Sequence, residues 1–132
     1  MTETHPAMVA ARNSWRCVQS KLKDEWLALM ADDVVIEDPI GRSPLDPDGR
    51  GHRGKEAARR FWDRNIGPSS IRIETHESFT CGAESAHVLT LTTTLPTGRS
   101  MQVHGIFTYR VDDAGRLVSL RGFWEMSDLR MI

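Results

Sequence analysis

The stretch VVIEDPIG, Val34 to Gly41, sets two adjacent carboxylates, Glu37 and Asp38, at the end of a β-branched apolar run and directly before a proline. Side chains alternate along a strand, so Asp38 shares the face of Val34 and Ile36 while Glu37 points the other way. One acid of the pair can therefore face an apolar interior. A carboxylate beside an apolar pocket is poorly solvated, able to accept a proton when ionised and to act as an acid once it holds one. That is the chemistry of a general base that returns what it takes. An acid that merely ends a strand before a turn is the other reading of the same residues.

The remaining polar motifs exclude more than they offer. GRGHRGKE, Gly49 to Glu56, matches G-x-x-x-x-G-K, but glutamate stands where a phosphate-binding loop needs serine or threonine for Mg²⁺. Arg50, His52 and Arg53 in that loop could attract an anionic ligand tail, against a plainer reading as a solvated basic loop. His5, His52, His76, His87 and His104 show neither HxH nor HExxH spacing, so no metal site is expected, and no cofactor. Cys17 and Cys81 lack a pairing pattern and read as reduced thiols. A net charge of −1 without a basic block argues against nucleic acid. MTETHPAM lacks the basic and apolar regions of a signal peptide, and no apolar run nears the roughly 20 residues of a membrane span. A cytoplasmic protein without a membrane partner is expected, one domain over residues 1–132.

These residues need elements to position them. Met8, Ala11, Trp15, Val18 and Leu22 form one helical stripe from Pro6 to Leu22. Asp24 can cap a short second helix carrying Trp26, Leu29 and Met30 and stopping at Asp32–Asp33, where Val34 to Ile36 begin a strand. The segment from Pro39 to Gly54, rich in proline and glycine, reads as an exposed loop with several turns. A third helix should run from about Lys55 to Ile66, with Ala58, Phe61, Trp62 and Ile66 inward and Gly67–Pro68 as its stop. Strands follow at Ile71 to Phe79, Ala86 to Leu95, Arg99 to Val111 and Leu117 to Met126, joined by the short turns CGAES, PTG and DDAG. In the third of these, Met101, Val103, Gly105, Phe107, Tyr109 and Val111 share one face. Helices first and an antiparallel meander afterwards define an α+β domain whose helices cover one sheet face.

That order, with LALMADDVVIEDPIG, GKEAARRFWDRNI and YRVDDAGRLVSLRGFW, resembles the ketosteroid isomerase (steroid delta-isomerase) family, and within it the actinobacterial, mycobacterial-type proteins. The wider group is the nuclear transport factor-like, or SnoaL-like, superfamily. The likeness runs from about Val9 to Trp124. It implies a cone-shaped α+β fold with three helices on a curved antiparallel sheet, a homodimer, and a pocket for a steroid-like or polyketide-like ligand. It also implies that Asp38 removes a proton beside a steroid ketone and returns it two carbons further on, without a cofactor.

The chain departs from the family at the groups that stabilise the resulting oxyanion, a tyrosine and a protonated aspartate. Their positions fall at Ser14 and Phe107, and a supporting tyrosine falls at Trp62. Candidate replacements are Ser14, the indoles of Trp15, Trp62 and Trp124, and Tyr109, the single tyrosine of the sequence. Val18, Met30, Phe61, Leu89, Leu91, Met101, Val103, Phe107 and Trp124 are expected to line the pocket. His76, His87 and His104 are expected on the outer sheet face, the dimer surface by resemblance, and Arg121 by parity away from the pocket. A steroid delta-isomerase-like enzyme is the first expectation, a non-catalytic binder of hydrophobic small molecules the second, and a small dehydratase or epoxide hydrolase the third.

Overall fold

Pro6 at the first helical position, and His5 Nδ1 accepting from the Ala7 N–H at 3.2 Å, start helix α1 (Pro6–Ser20) in the computed structural model, which describes residues 4–132. Its buried face includes Ala7, Ala11, Ser14, Trp15, Cys17 and Val18. The helix stops two residues before Leu22 because Lys21 adopts the left-handed conformation, φ 59°, and the Leu22 N–H returns to the Cys17 carbonyl at 2.8 Å. The Lys21 ammonium donates to the carbonyls of Ile66 and Ser69, tying the end of α1 to the segment after the third helix.

Helix α2 (Lys23–Ala28) buries Trp26 and Leu27 and is shorter than its sequence suggests. Met30, expected in that helix, opens strand β1 (Met30–Glu37) and pairs with Leu117, while the Leu117 N–H donates to the Leu29 carbonyl at 2.8 Å. Pairing with a distant strand has overridden a weak local helical pattern. Asp32 and Asp33, read as a helix stop, lie exposed in the irregularity of β1 between Met30 and Val35. After the loop come β2 (His52–Arg53) and helix α3 (Lys55–Phe61), which continues as a π-helical turn, Trp62–Ile66, instead of a regular helix.

The sheet adds β3 (Ser70–Cys81), β4 (Glu84–Thr94), β5 (Ser100–Val111), β6 (Leu117–Phe123) and β7 (Arg130–Met131), in the order β2-β1-β6-β5-β4-β3, with β7 paired to β5. β3 to β6 form the expected antiparallel meander, but β1 lies parallel to β6, so the sheet is mixed. The direction of β1 follows from how far its partner lies along the chain, which local patterning does not carry. Val103, Phe107, Tyr109 and Val111 are buried on the inner face, under the helices, and Ile106 is exposed on the outer one. Registers align Phe107 with Gly122 on one side and His87 on the other, and Tyr109 with Leu120 and Ser85. Those two rows carry the polar groups of the interior.

Candidate active site

Asp38 follows the last residue of β1, and its peptide bond to Pro39 is cis. The Ile40 N–H donates to the Gly122 carbonyl at 3.1 Å, which holds this turn against β6. The carboxylate therefore lies over the inner face, where Asp38 Oδ1 accepts from Trp124 Nε1 at 2.6 Å. Gly122 makes room for it: a Cβ there would overlap Oδ1 and come within 2.9 Å of Phe107 Cε2. Burial pushes the Asp38 pKa up to about 6, against the opposing effect of the indole hydrogen bond. Such a group is ionised near neutrality and still basic enough to take a proton.

The wall around Asp38 encloses a cavity of about 390 Å³, within the range of small-molecule sites, roughly 300–1,000 Å³. Ser14, Val18, Phe61, Leu89, Leu91, Met101, Val103, Phe107, Tyr109 and Trp124, all singled out in the sequence, are in that wall. Met30 and Trp62 are not. Met30, drawn into β1, is fully buried in the core. Trp62 packs on Trp26 with ring centroids 5.2 Å apart, while Phe61, about 100° round the helix, takes the wall position. Sequence reading missed Leu45 from the loop, Arg64 and Asn65 from the π-turn, and Met126 and Leu129 beyond β6. It also missed Gly122, for which a glycine inside a strand pattern is the available signal.

The polar groups of the cavity are organised by indoles. Trp124 serves Asp38, Trp26 Nε1 donates to Ser14 Oγ at 3.1 Å, and Trp15 Nε1 donates to the Tyr109 hydroxyl at 2.9 Å. Having accepted from Trp15, Tyr109 keeps its own proton, and no acceptor for it stands among the described residues. Burial raises the Tyr109 pKa, the Asp38 charge adds to the rise, and the Trp15 bond opposes it. The phenol stays protonated, a donor without a partner at the cavity wall.

His87 corrects an expectation. It is buried on the inner face, in register with Phe107, because it shares the strand parity of Leu89 and Leu91. Ser85 Oγ donates to the Ala7 carbonyl at 3.1 Å, so it accepts from His87 Nε2 at 2.7 Å, and His87 Nδ1 is left to accept from Ser78 Oγ at 2.7 Å. This neutral tautomer agrees with a pKa lowered by burial to about 4. Its ring meets Trp15 and Tyr109 edge to face, at 4.8 and 5.5 Å. His76 and His104 are exposed and joined through Thr90. Arg121 Nε pairs with Glu37 at 3.1 Å. Among the described residues no group of three or more His, Cys, Asp or Glu is placed to hold a metal, and no helix is long and apolar enough to cross a membrane.

Residues 11–120 match the model of the SnoaL-like domain. No curated protein matches the chain. Among solved structures, the delta 5-3-ketosteroid isomerase from Mycobacterium sp. is 49% identical with a TM-score of 0.94, covering 98% of this chain and 100% of its own. RV0760c from Mycobacterium tuberculosis, in complex with estradiol-17beta-hemisuccinate, is 44% identical with a TM-score of 0.93, over 96% and 99%. A computationally designed 17-OHP binder is 41% identical with a TM-score of 0.94, over 98% and 100%. With an α+β fold of three helices on a mixed, mostly antiparallel sheet and these matches across nearly its whole length, the chain belongs to the SnoaL-like family as a ketosteroid isomerase-like protein.

Proposed function

We propose that the chain is a steroid delta-isomerase-like enzyme that moves a proton within a 3-ketosteroid-like substrate, with Asp38 as the general base and no cofactor. The observation that carries this reading is a buried carboxylate in the wall of an apolar cavity, its pKa raised to about 6, held at one oxygen by an indole. Ionised Asp38 takes the proton beside the ketone, and the protonated acid returns it to the far carbon of the dienolate. Charge then develops on the ketone oxygen. Tyr109 is the group best suited to meet it, because its O–H is unspent and the bond received from Trp15 polarises it. Ser14, whose hydroxyl accepts from Trp26, is the second donor. The mycobacterial isomerase, nearly half identical over the full length, supports this reaction class.

A second reading, a binder without efficient turnover, is favoured by Phe107, which puts a hydrocarbon where the family carries its protonated aspartate. RV0760c, in complex with estradiol-17beta-hemisuccinate, and the designed 17-OHP binder are relatives that bind such ligands. The outer sheet face, with Phe79, Ile106 and Phe123 each about half exposed or more, is proposed as the surface on which two copies pair.

Incubation with a β,γ-unsaturated 3-ketosteroid, followed by the absorbance of the conjugated enone, decides between the two readings. The enzyme reading expects a rate well above that of Asp38→Asn. Equal rates would sink it for that substrate, and steroid-dependent quenching of tryptophan emission would then support the binder.

A further inference from the structure

A second cavity, about 420 Å³, opens beside the mouth of the first and shares Leu45, Phe61, Arg64 and Asn65 with it. The chemistry changes across this common wall. Beyond it stand His52, Arg53 and Arg60. Arg60 on α3 and Arg64 on the π-turn lie four residues apart, and neither has an ion-pair or hydrogen-bond partner among the described residues. Like charges at that spacing repel, so the arrangement costs helix stability with no ion pair among the described residues to offset it. The neighbouring acids are already engaged: Glu56 by Arg59, Asp63 by Lys23, and Asp46 Oδ2 by the Gly51 N–H at 2.8 Å.

His52 supplies an independent observation. Its ring packs on Phe61, centroids 4.9 Å apart, so it abuts the wall of the apolar cavity. Nε2 is buried and has no hydrogen-bond partner, the single such side-chain atom among the described residues. Buried polar atoms in folded proteins are nearly always paired, so an orphan beside two unpaired guanidiniums points to a missing acceptor. Burial lowers the His52 pKa, Asp46 opposes this, and Arg64 and Arg60 add to the lowering, so both cations stand close enough to act on the ring. A neutral imidazole can still donate through Nε2–H.

We infer that this second cavity is an anion subsite, in which Arg60, Arg64 and His52 hold an oxyanion, sulfate or carboxylate, carried on the part of the apolar ligand that reaches Arg64. Guanidiniums suit this task because each offers parallel N–H donors to two oxygens of one anion. The inference rests on the proposed function for the apolar half of the ligand alone. It divides the ligand into a ketone part in the apolar cavity and a charged part at the π-turn. The natural ligand class is then an acidic conjugate or side-chain acid rather than a neutral sterol.

Isothermal calorimetry tests this with two matched pairs: testosterone against testosterone 17-sulfate, and 2-naphthol against 2-naphthyl sulfate. Wild type is expected to bind each sulfate ester about 10- to 100-fold more tightly than its parent alcohol, a preference that weakens with added salt. Arg60→Ala/Arg64→Ala should abolish the preference, and Arg60→Ala alone, outside the wall of the first cavity, should weaken it while leaving affinity for the neutral partner unchanged and the melting temperature no lower. Equal affinities within both pairs, or a preference that survives the double substitution, would overturn the subsite. An arginine-dependent preference for naphthyl sulfate without binding of either steroid would uphold the subsite and count instead against the steroid reading.

Discussion

Glu37 and Asp38 are neighbours in sequence with the same functional group, and the two faces of one sheet separate them completely. On the outer face, Glu37 meets Arg121 at 3.1 Å, with both side chains partly in water, 22% and 40% exposed. On the inner face, Asp38 has an indole for a partner, no cation to offset its charge, and a pKa raised to about 6. An exposed ion pair spends its charge on a neighbour and gains little. A poorly solvated carboxylate paired with a neutral donor keeps its charge available for a substrate. Which side of the strand a residue occupies, rather than its type, decides whether it does chemistry.

The contrast can be broken at either residue. Asp38→Asn should lower the isomerisation rate about 10²- to 10⁴-fold, the usual contribution of a positioned base, while Glu37→Gln leaves it within a few-fold. A comparable loss from both would mean that the inner face is not special. Tyr109→Phe should lower kcat about 10²- to 10³-fold with KM little changed, as expected for a donor that acts chiefly on the transition state. If kcat holds and KM alone rises, Tyr109 is a packing residue.

Stability sharpens the same comparison. Unfolded, Asp38 titrates near 3.9, and folded near 6, so between these values the folded state holds a proton that the unfolded chain has released. The Asp38 contribution to stability therefore falls as pH rises through that window, by about 3 kcal/mol in total, and is flat below it. Denaturant titrations should find Asp38→Asn equal to wild type near pH 3.5 and more stable by up to about 3 kcal/mol at pH 7. His87, its pKa lowered to about 4, contributes an opposing rise through nearly the same window, so the fall is read in the difference between wild type and Asp38→Asn. A difference that does not change with pH would show that the carboxylate is solvated. The smallest effect belongs to the outer face: Arg121→Ala should cost about 0.2–1 kcal/mol, diminishing with salt. A cost several times larger would make the Glu37–Arg121 pair a structural clasp.

Much of this was readable from the chain because it is local. Alternation placed Asp38 inward and Glu37 outward, and a clean period of two placed Val103, Phe107 and Tyr109 on the buried face. Hairpin turns gave the antiparallel order of β3 to β6. What escaped depends on partners distant in sequence. Met30 joined β1 because Leu117 was there to pair with it. His87, by contrast, was legible from its parity with Leu89 and Leu91, and only its polar ring argued for the outer face. Trp62 lost the cavity wall to Phe61 at the junction where α3 becomes a π-turn. Gly122 reveals its importance only when the Asp38 carboxylate is seen lying against it.

The indoles that hold Asp38, Ser14 and Tyr109 have a consequence for isotopes. Indole N–H is a donor only, so it can steady an oxygen but cannot relay a proton onward as a hydroxyl, an imidazole or a chain of waters can. A hydrogen taken by Asp38 thus has no exit through its indole partner, and its return to the substrate is the shortest way out. In deuterium oxide the isomerised product should carry mainly the substrate's own hydrogen, and a protonated substrate labelled at the donor carbon should keep its label through turnover.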